Sequence, residues 1–260
     1  MGLMTGKKCL IMGVANKRSI AWGIAQSLHR EGAELAFTYV NDRLKENVDE
    51  LVQTLPGHEQ MPVLPCDVSS EEQLAGLFES LGQTWGKLDV LVHSLAFART
   101  EDLKKSFIDI DREGYRIAHE ISAWSLIGCA KYAHPLMLAA GGGSILTLSY
   151  LAAQRYIPKY NVMASAKAAL ECNMRYLAAE LGPENIRVNA ISAGPLKTLA
   201  ASAVGGVSIL RDHYEERAPL RRNVTIDEVG DVGLFLASDL SRSVTGQTIY
   251  ADSGFNILGA

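Results

Sequence analysis

Cysteine is scarce in this chain, and the four present, Cys9, Cys66, Cys129 and Cys172, stand far apart with no C-x-x-C pair and no His at ligand spacing. That argues against a disulfide-stapled secreted scaffold and a zinc site, and fits buried thiols in a reducing, cytoplasmic compartment. Charge of one sign is lacking too: 25 Lys and Arg against 29 Asp and Glu leave a net charge of −4, with no long basic run. A nucleic-acid or anionic-membrane partner therefore has no electrostatic footprint. The opening MGLMTGKKCLIMG lacks a long apolar core with a cleavage site, and Gly6 stands where a myristoylation signal wants Ser or Thr. Between Lys131 and Arg155 there is no charge. His134-Pro135 and Gly141-Gly142-Gly143 divide that stretch into a helix end, a turn and a buried strand, which is a better reading than a membrane span.

What is present is alternation. Short apolar runs at 7–12, 34–39, 61–65, 88–92, 144–148, 187–191 and 247–250 read as strands, several rich in Val, Ile and Leu without a polar face, as strands covered on both sides should be. Helical stretches at 20–30, 44–55, 71–84, 113–138, 162–181 and 226–236 lie between them, with Gly32, Gly86 and Gly182-Pro183 where helices should stop. Alternating β and α elements predict an α/β, Rossmann-like doubly wound fold: a seven-stranded parallel sheet with helices on both faces. With no linker, repeat or low-complexity segment, residues 1–260 read as a single domain.

Chemistry is expected at the carboxyl ends of the strands, the edge where such sheets bind ligands. The first strand runs into Gly13, where the backbone can turn tightly, and a helix starting near Ser19 and Ile20 points free N–H groups at a phosphate. The usual G-x-G-x-x-G is missing, so this loop alone is equally an ordinary β-turn-α unit. Asp67-Val68 after the third strand offers a carboxylate to an adenine amino group, although an isolated Asp there is more often a helix cap. Small residues follow the fourth strand around His93-Ser94-Leu95, and Ser192-Ala193-Gly194-Pro195 with Thr198 follows the sixth. The tip of strand two, Tyr39-Val40-Asn41, carries neither the Arg of a 2′-phosphate site nor an acid, and Arg43 falls on the next helix; the lean is toward NADH.

Across nearly its whole length the chain resembles the short-chain dehydrogenase/reductase superfamily. Carbonyl-reducing members carry Tyr and Lys four apart on one helix, with a Ser about a dozen residues earlier. Here Lys167 fits the Lys, but Met163 occupies the Tyr place, the Ser place falls near Tyr150, and a tyrosine stands instead at Tyr160. Seven residues is about two helical turns, so Tyr160 and Lys167 would share a face, with the donor moved about 4–5 Å along the axis if the helix already runs there. Conjugate reduction wants that shift, because charge builds on an oxygen farther from the carbon that takes hydride. Leu148-Ser149-Tyr150-Leu151, Tyr160-x6-Lys167 and Gly194-Pro195-Leu196-Lys197-Thr198-Leu199-Ala200-Ala201 narrow the resemblance to the bacterial NADH-dependent enoyl-[acyl-carrier-protein] reductases of type II fatty-acid synthesis.

That resemblance implies Tyr150, Tyr160 and Lys167 as catalytic residues, with the Lys167 ammonium favouring ionisation of Tyr160 and also holding the nicotinamide ribose. It implies Gly13, Ser19, Ile20, Asp67, Val68, Leu95, Leu196 and Thr198 around NADH, and Ala98, Tyr150, Tyr160, Ala200, Ala201 and Val204 around the acyl chain. A substrate-covering lid near 196–215, an enoyl chain on acyl carrier protein as substrate, and a homotetramer follow from it too. In the lid, Gly205, Gly206 and Ser208 interrupt the basic residues that could meet an acidic carrier, leaving Arg211 and Lys197. The rival readings keep the fold: a carbonyl-reducing dehydrogenase using Tyr150 or Tyr160, or a dinucleotide-binding regulator without turnover. His93 and His134 read as satisfied structural residues, and Tyr150 could be a packed core aromatic.

Overall fold

The computed structural model describes residues 2–198 and 207–259. Seven strands, β1 (Lys8–Met12), β2 (Glu34–Tyr39), β3 (Val63–Pro65), β4 (Val90–His93), β5 (Gly143–Ser149), β6 (Ile186–Ala193) and β7 (Thr248–Ala251), form one sheet in the order β3-β2-β1-β4-β5-β6-β7. Every pairing is parallel. Successive side chains of a strand point to opposite faces, and β1 shows why its run is apolar throughout. Cys9 and Ile11 enter one core with Trp22, Ile24 and Leu28, whereas Leu10 and Met12 enter the other with Leu74, Leu126 and Met174.

The first core lies under α1 (Ile20–Arg30), α2 (Asp42–Val52) and α9 (Ile226–Ala237); the second lies under α3 (Glu71–Trp85), α6 (Ser125–Ala139) and α7 (Val162–Leu181). Local chemistry sets these boundaries. Ser70 caps α3 by accepting from the Gln73 N–H, and Gly86 ends it in the left-handed region at φ 67°. Thr225 and Glu228 close a reciprocal capping box at the start of α9. Helices α1 and α9 cross at glycines: a Cβ on Gly230 would lie 2.5 Å from the Gly23 carbonyl oxygen.

Three expectations need correction. The single helix expected at 113–138 is α5 (Arg112–His119), a π-helical turn at Glu120–Trp124, and α6. Ser122 in that turn is held by the Phe97 backbone, accepting from its N–H at 3.0 Å and donating to its carbonyl at 3.1 Å. A short helix, α4 (Thr100–Lys104), precedes α5 where none was expected. Most consequential, α7 begins at Val162, so Tyr160 precedes the helix, and the two-turn account of its spacing from Lys167 does not hold. Of the expected lid, α8 (Val207–Arg217) is described, whereas Ala200, Ala201 and Val204 lie outside the described residues.

Candidate active site

The sheet runs outward from β1 through β2 to β3 and then returns to place β4 on the other side of β1. That leaves a crevice at the carboxyl ends of β1 and β4, the usual ligand position in such sheets. Gly13 leaves β1 with φ 96°, and a Cβ there would come within 2.0 Å of the Ser94 carbonyl oxygen, so glycine is required on both counts. Ser19, expected near a phosphate, turns its Oγ back on its own loop and accepts from the Ala15 and Asn16 N–H groups at 3.0 and 3.1 Å. Its O–H remains available to donate at the start of α1. Asn47 of α2 braces the same loop by donating to the Ala15 carbonyl.

Between this loop and the start of α2 lies a cleft of about 350 Å³ lined by Asn16, Asn41, Arg43 and Asn47. Asn41 is committed to capping Leu44, and Arg43 is in the first turn of α2, as expected. Asp67 behaves partly as the simpler reading has it. Its Oδ1 accepts from the Ser69 N–H and hydroxyl at 2.9 and 2.7 Å, leaving Oδ2 as the oxygen for a ligand. Val68 is buried, Leu95 packs half-buried against the core, and Leu196 is buried in the core beneath the segment after β6. Ser192, at the carboxyl end of β6, keeps a buried Oγ without a hydrogen-bond partner among the described residues. The close-packed glycine loop after β1, the spare Asp67 oxygen and the orphaned Ser192 hydroxyl are groups that could hold a dinucleotide along this edge.

Farther along the edge, Tyr150 and Tyr160 meet with ring centroids 4.7 Å apart. Burial pushes both phenols up in pKa; a hydrogen bond with Tyr214 offsets part of this at Tyr150, whereas the neighbouring Tyr150 hydroxyl raises Tyr160 further, and Tyr160 stands well above the ordinary phenol range. Lys167 is buried, and its Nζ donates to the Leu148 carbonyl at 2.6 Å. Removal from water lowers its pKa to about 8. The expected easing of Tyr160 ionisation by Lys167 is therefore not what this geometry gives: burial dominates, and the ammonium is turned to the strand. Ala98 packs in the same apolar cluster as Tyr160, Leu103 and Met163. Met163 itself is buried against Ala118 and Val162, filling the place of the usual tyrosine with an apolar wall.

The edge also contains residues that spacing alone did not single out. Glu171, one turn beyond Lys167, is buried and accepts from Ser149 at 2.6 Å and Gln154 at 3.2 Å. Tyr214 of α8 is buried, its ring stacked on Phe255 at 3.7 Å and its hydroxyl turned toward that of Tyr150. Asn161 follows Tyr160 with φ 48° and ψ −129°, an outlier that no sequence pattern announces. Arg211 of α8 donates to the Pro195 carbonyl at 3.0 Å. His93 is structural, as expected. Ser125 donates to the Ile121 carbonyl and so accepts from Nε2, while Thr147 donates to Nδ1, which fixes a neutral imidazole whose pKa burial lowers to about 3. His134 pairs with Glu184 at the surface.

The family model for enoyl-(acyl carrier protein) reductase matches residues 13–256. The NADH-dependent enoyl-[acyl-carrier-protein] reductase FabI of Bacillus cereus is 52% identical over 259 residues, which cover 100% of both chains. The crystal structure of the Bacillus cereus enoyl-acyl carrier protein reductase with NADP+ and indole naphthyridinone superposes with a TM-score of 0.97 at 52% identity, covering 100% of each chain. The Anaplasma phagocytophilum enzyme in complex with NAD gives 0.94 at 44% identity, covering 100% of this chain and 97% of the other.

Proposed function

The chain belongs to the enoyl-[acyl-carrier-protein] reductases and is an NADH-dependent enzyme of that family, and we propose that Tyr160, Lys167 and Tyr150 carry its reaction on trans-2-enoyl thioesters. The observation that carries this is the paired tyrosines, 4.7 Å apart, with Met163 in the place where a carbonyl reductase needs a hydroxyl. When bound, NADH supplies the hydride, which adds to C3 of the enoyl chain.

Charge then develops on the thioester oxygen, two carbons away, and that oxygen is where a donor is needed. Tyr160 supplies it. Because burial raises its pKa, its proton is held throughout the physiological range and its O–H donates to the forming enolate oxygen rather than starting as phenolate. Lys167 has three N–H donors and uses one on Leu148; the other two hold the nicotinamide ribose. Tyr150 flanks the thioester across from Tyr160, with Ala98 and the lid residues Ala200, Ala201 and Val204 along the acyl chain. Gly13, Ser19, Ile20, Asp67, Val68, Leu95, Leu196 and Thr198 hold the dinucleotide.

Acyl carrier protein is the macromolecular partner in this reading. The chain works as one unit over 1–260, with 196–215 as its lid, and as a cytoplasmic homotetramer. Exposed Tyr115, Trp124 and Ile127 on the α5–α6 side and Tyr176 on α7 support the assembly, being large apolar groups on the helical surface. Among the described residues no helix is long and apolar enough to cross a membrane.

The test follows the loss of reduced-nicotinamide absorbance with a crotonyl thioester of acyl carrier protein and, in parallel, an acetoacetyl thioester, for the native enzyme and Tyr160→Phe. Oxidation with the enoyl substrate alone, falling by about a hundredfold or more in Tyr160→Phe while NADH affinity holds, is the expected result. Oxidation only with the ketone moves the enzyme to the carbonyl reductases.

A further inference from the structure

Tyr160 is flanked by two of the five non-glycine residues with positive φ among the described residues, Lys159 at 68° and Asn161 at 48°. The Asn161 angles, φ 48° and ψ −129°, are those of the first corner of a type II′ turn, a place glycine normally takes. The turn is closed: the Met163 N–H donates to the Tyr160 carbonyl at 3.1 Å, and the Ala164 N–H donates to the Asn161 carbonyl at 2.9 Å. An L residue persists in such a conformation only where its surroundings over-determine it.

They do so here through the side chain. Asn161 Nδ2 donates to the Asp102 carbonyl at 2.9 Å and the Lys105 carbonyl at 2.7 Å, both at the end of α4. Those two carbonyls are held in turn. The Asp102 carboxylate is fully buried and takes Arg99 at 2.6 Å and Lys105 at 3.2 Å, and Asp111, which caps α5 through the Gly114 N–H, binds the same two cations. Gly114 leaves room for the cluster, since a Cβ there would meet Asp102 Oδ2 at 2.2 Å.

We propose that Asn161 is a positioning residue for the reaction: its amide, clamped between the Asp102 and Lys105 carbonyls, holds the strained turn that fixes the Tyr160 hydroxyl over the substrate. This rests on Tyr160 being the donor. Both N–H donors of its amide are spent on those two carbonyls, so its effect passes through Tyr160.

The test is a double-mutant cycle in the full-length enzyme. Asn161→Asp keeps size and shape but replaces Nδ2, and with it both N–H donors, by one carboxylate oxygen facing two carbonyls. Asn161→Gly accepts the φ without strain but loses the clamp. Asn161→Asp should lower kcat by roughly tenfold or more, as a misplaced donor does, with KM for the enoyl thioester and NADH affinity within about twofold; Asn161→Gly should lie between it and the native enzyme. In a Tyr160→Phe background the same substitutions should cost almost nothing further, because the hydroxyl they position is gone. Native-like kcat in Asn161→Asp overturns the inference, as does an equal loss with and without the Tyr160 hydroxyl, which is what a purely structural role produces. If Tyr160→Phe alone leaves turnover unchanged, the donor assignment fails first and the Asn161 role falls with it.

Discussion

At the scale of single residues, the molecule separates groups that titrate from groups that are prevented from doing so. His93 is the clearest case: Ser125 and Thr147 satisfy both ring nitrogens only when the ring is neutral, and its pKa falls from the unfolded value of about 6.5 to about 3. A folded pKa below the unfolded one means that the stability His93 contributes is full above pH 6.5 and is lost as pH falls toward 3. Between pH 7 and 5 that loss is about 2 kcal/mol, and urea unfolding at the two pH values should show it. His93→Gln should flatten the difference; an equally steep acid loss in that variant would assign it to other groups. The same scale shows what spacing can reveal. Tyr160, Lys167 and the displaced Met163 were readable as a departure from a known pattern. The reason for the departure was not, because it lies in the backbone angle of Asn161 and in carbonyls at the end of α4, nearly sixty residues away in sequence.

At the scale of elements, the strongly patterned segments were legible and the locally decided ones were not. Helices α1 and α7 run over the residues their periodicity predicts, and β2 does the same, because an apolar run flanked by stop signals has one way to be buried. The π-helical turn between α5 and α6 escaped because its residues keep a helical pattern while Ser122 reaches across to Phe97. Helix α4 has five residues, too few for a period, and is held by ion pairs rather than by an apolar stripe. The α1–α9 crossing rests on glycine: Gly23, Gly230 and Gly233 let the helices approach until a Cβ on Gly230 would sit 2.5 Å from one carbonyl oxygen and 2.8 Å from Ser27 Oγ. Gly230→Ala should therefore destabilise by about 1–3 kcal/mol, the usual cost of overpacking, despite alanine's better helix propensity. A melting temperature equal to or above the native one would show that the helices can simply move apart.

At the scale of the whole molecule, the parallel sheet sets the site before any side chain is chosen. Reversal of strand order at β1 opens the crevice, and β4, β5 and β6 end beside it with His93, Tyr150 and Ser192 at or just beyond their tips. Alternation of elements was enough to predict that edge; which hydroxyls meet there was not, since Tyr214 arrives from a helix with no signature. The proposed homotetramer belongs to this scale. Light scattering on the purified protein should return four chains, and Ile127→Glu with Tyr176→Glu should reduce that number; a native monomer would leave Trp124 and its neighbours as solvated surface. The α1–α9 crossing has one more consequence, for synthesis on the ribosome. Helix α1 emerges early, but the helix that covers its glycine face begins only at Ile226. At 5–20 residues per second, the apolar side of α1 waits roughly 10–40 s for its cover. For that interval the nascent chain carries Gly23 and Ile24 without the helix that covers them, and this is the surface a chaperone would have to hold.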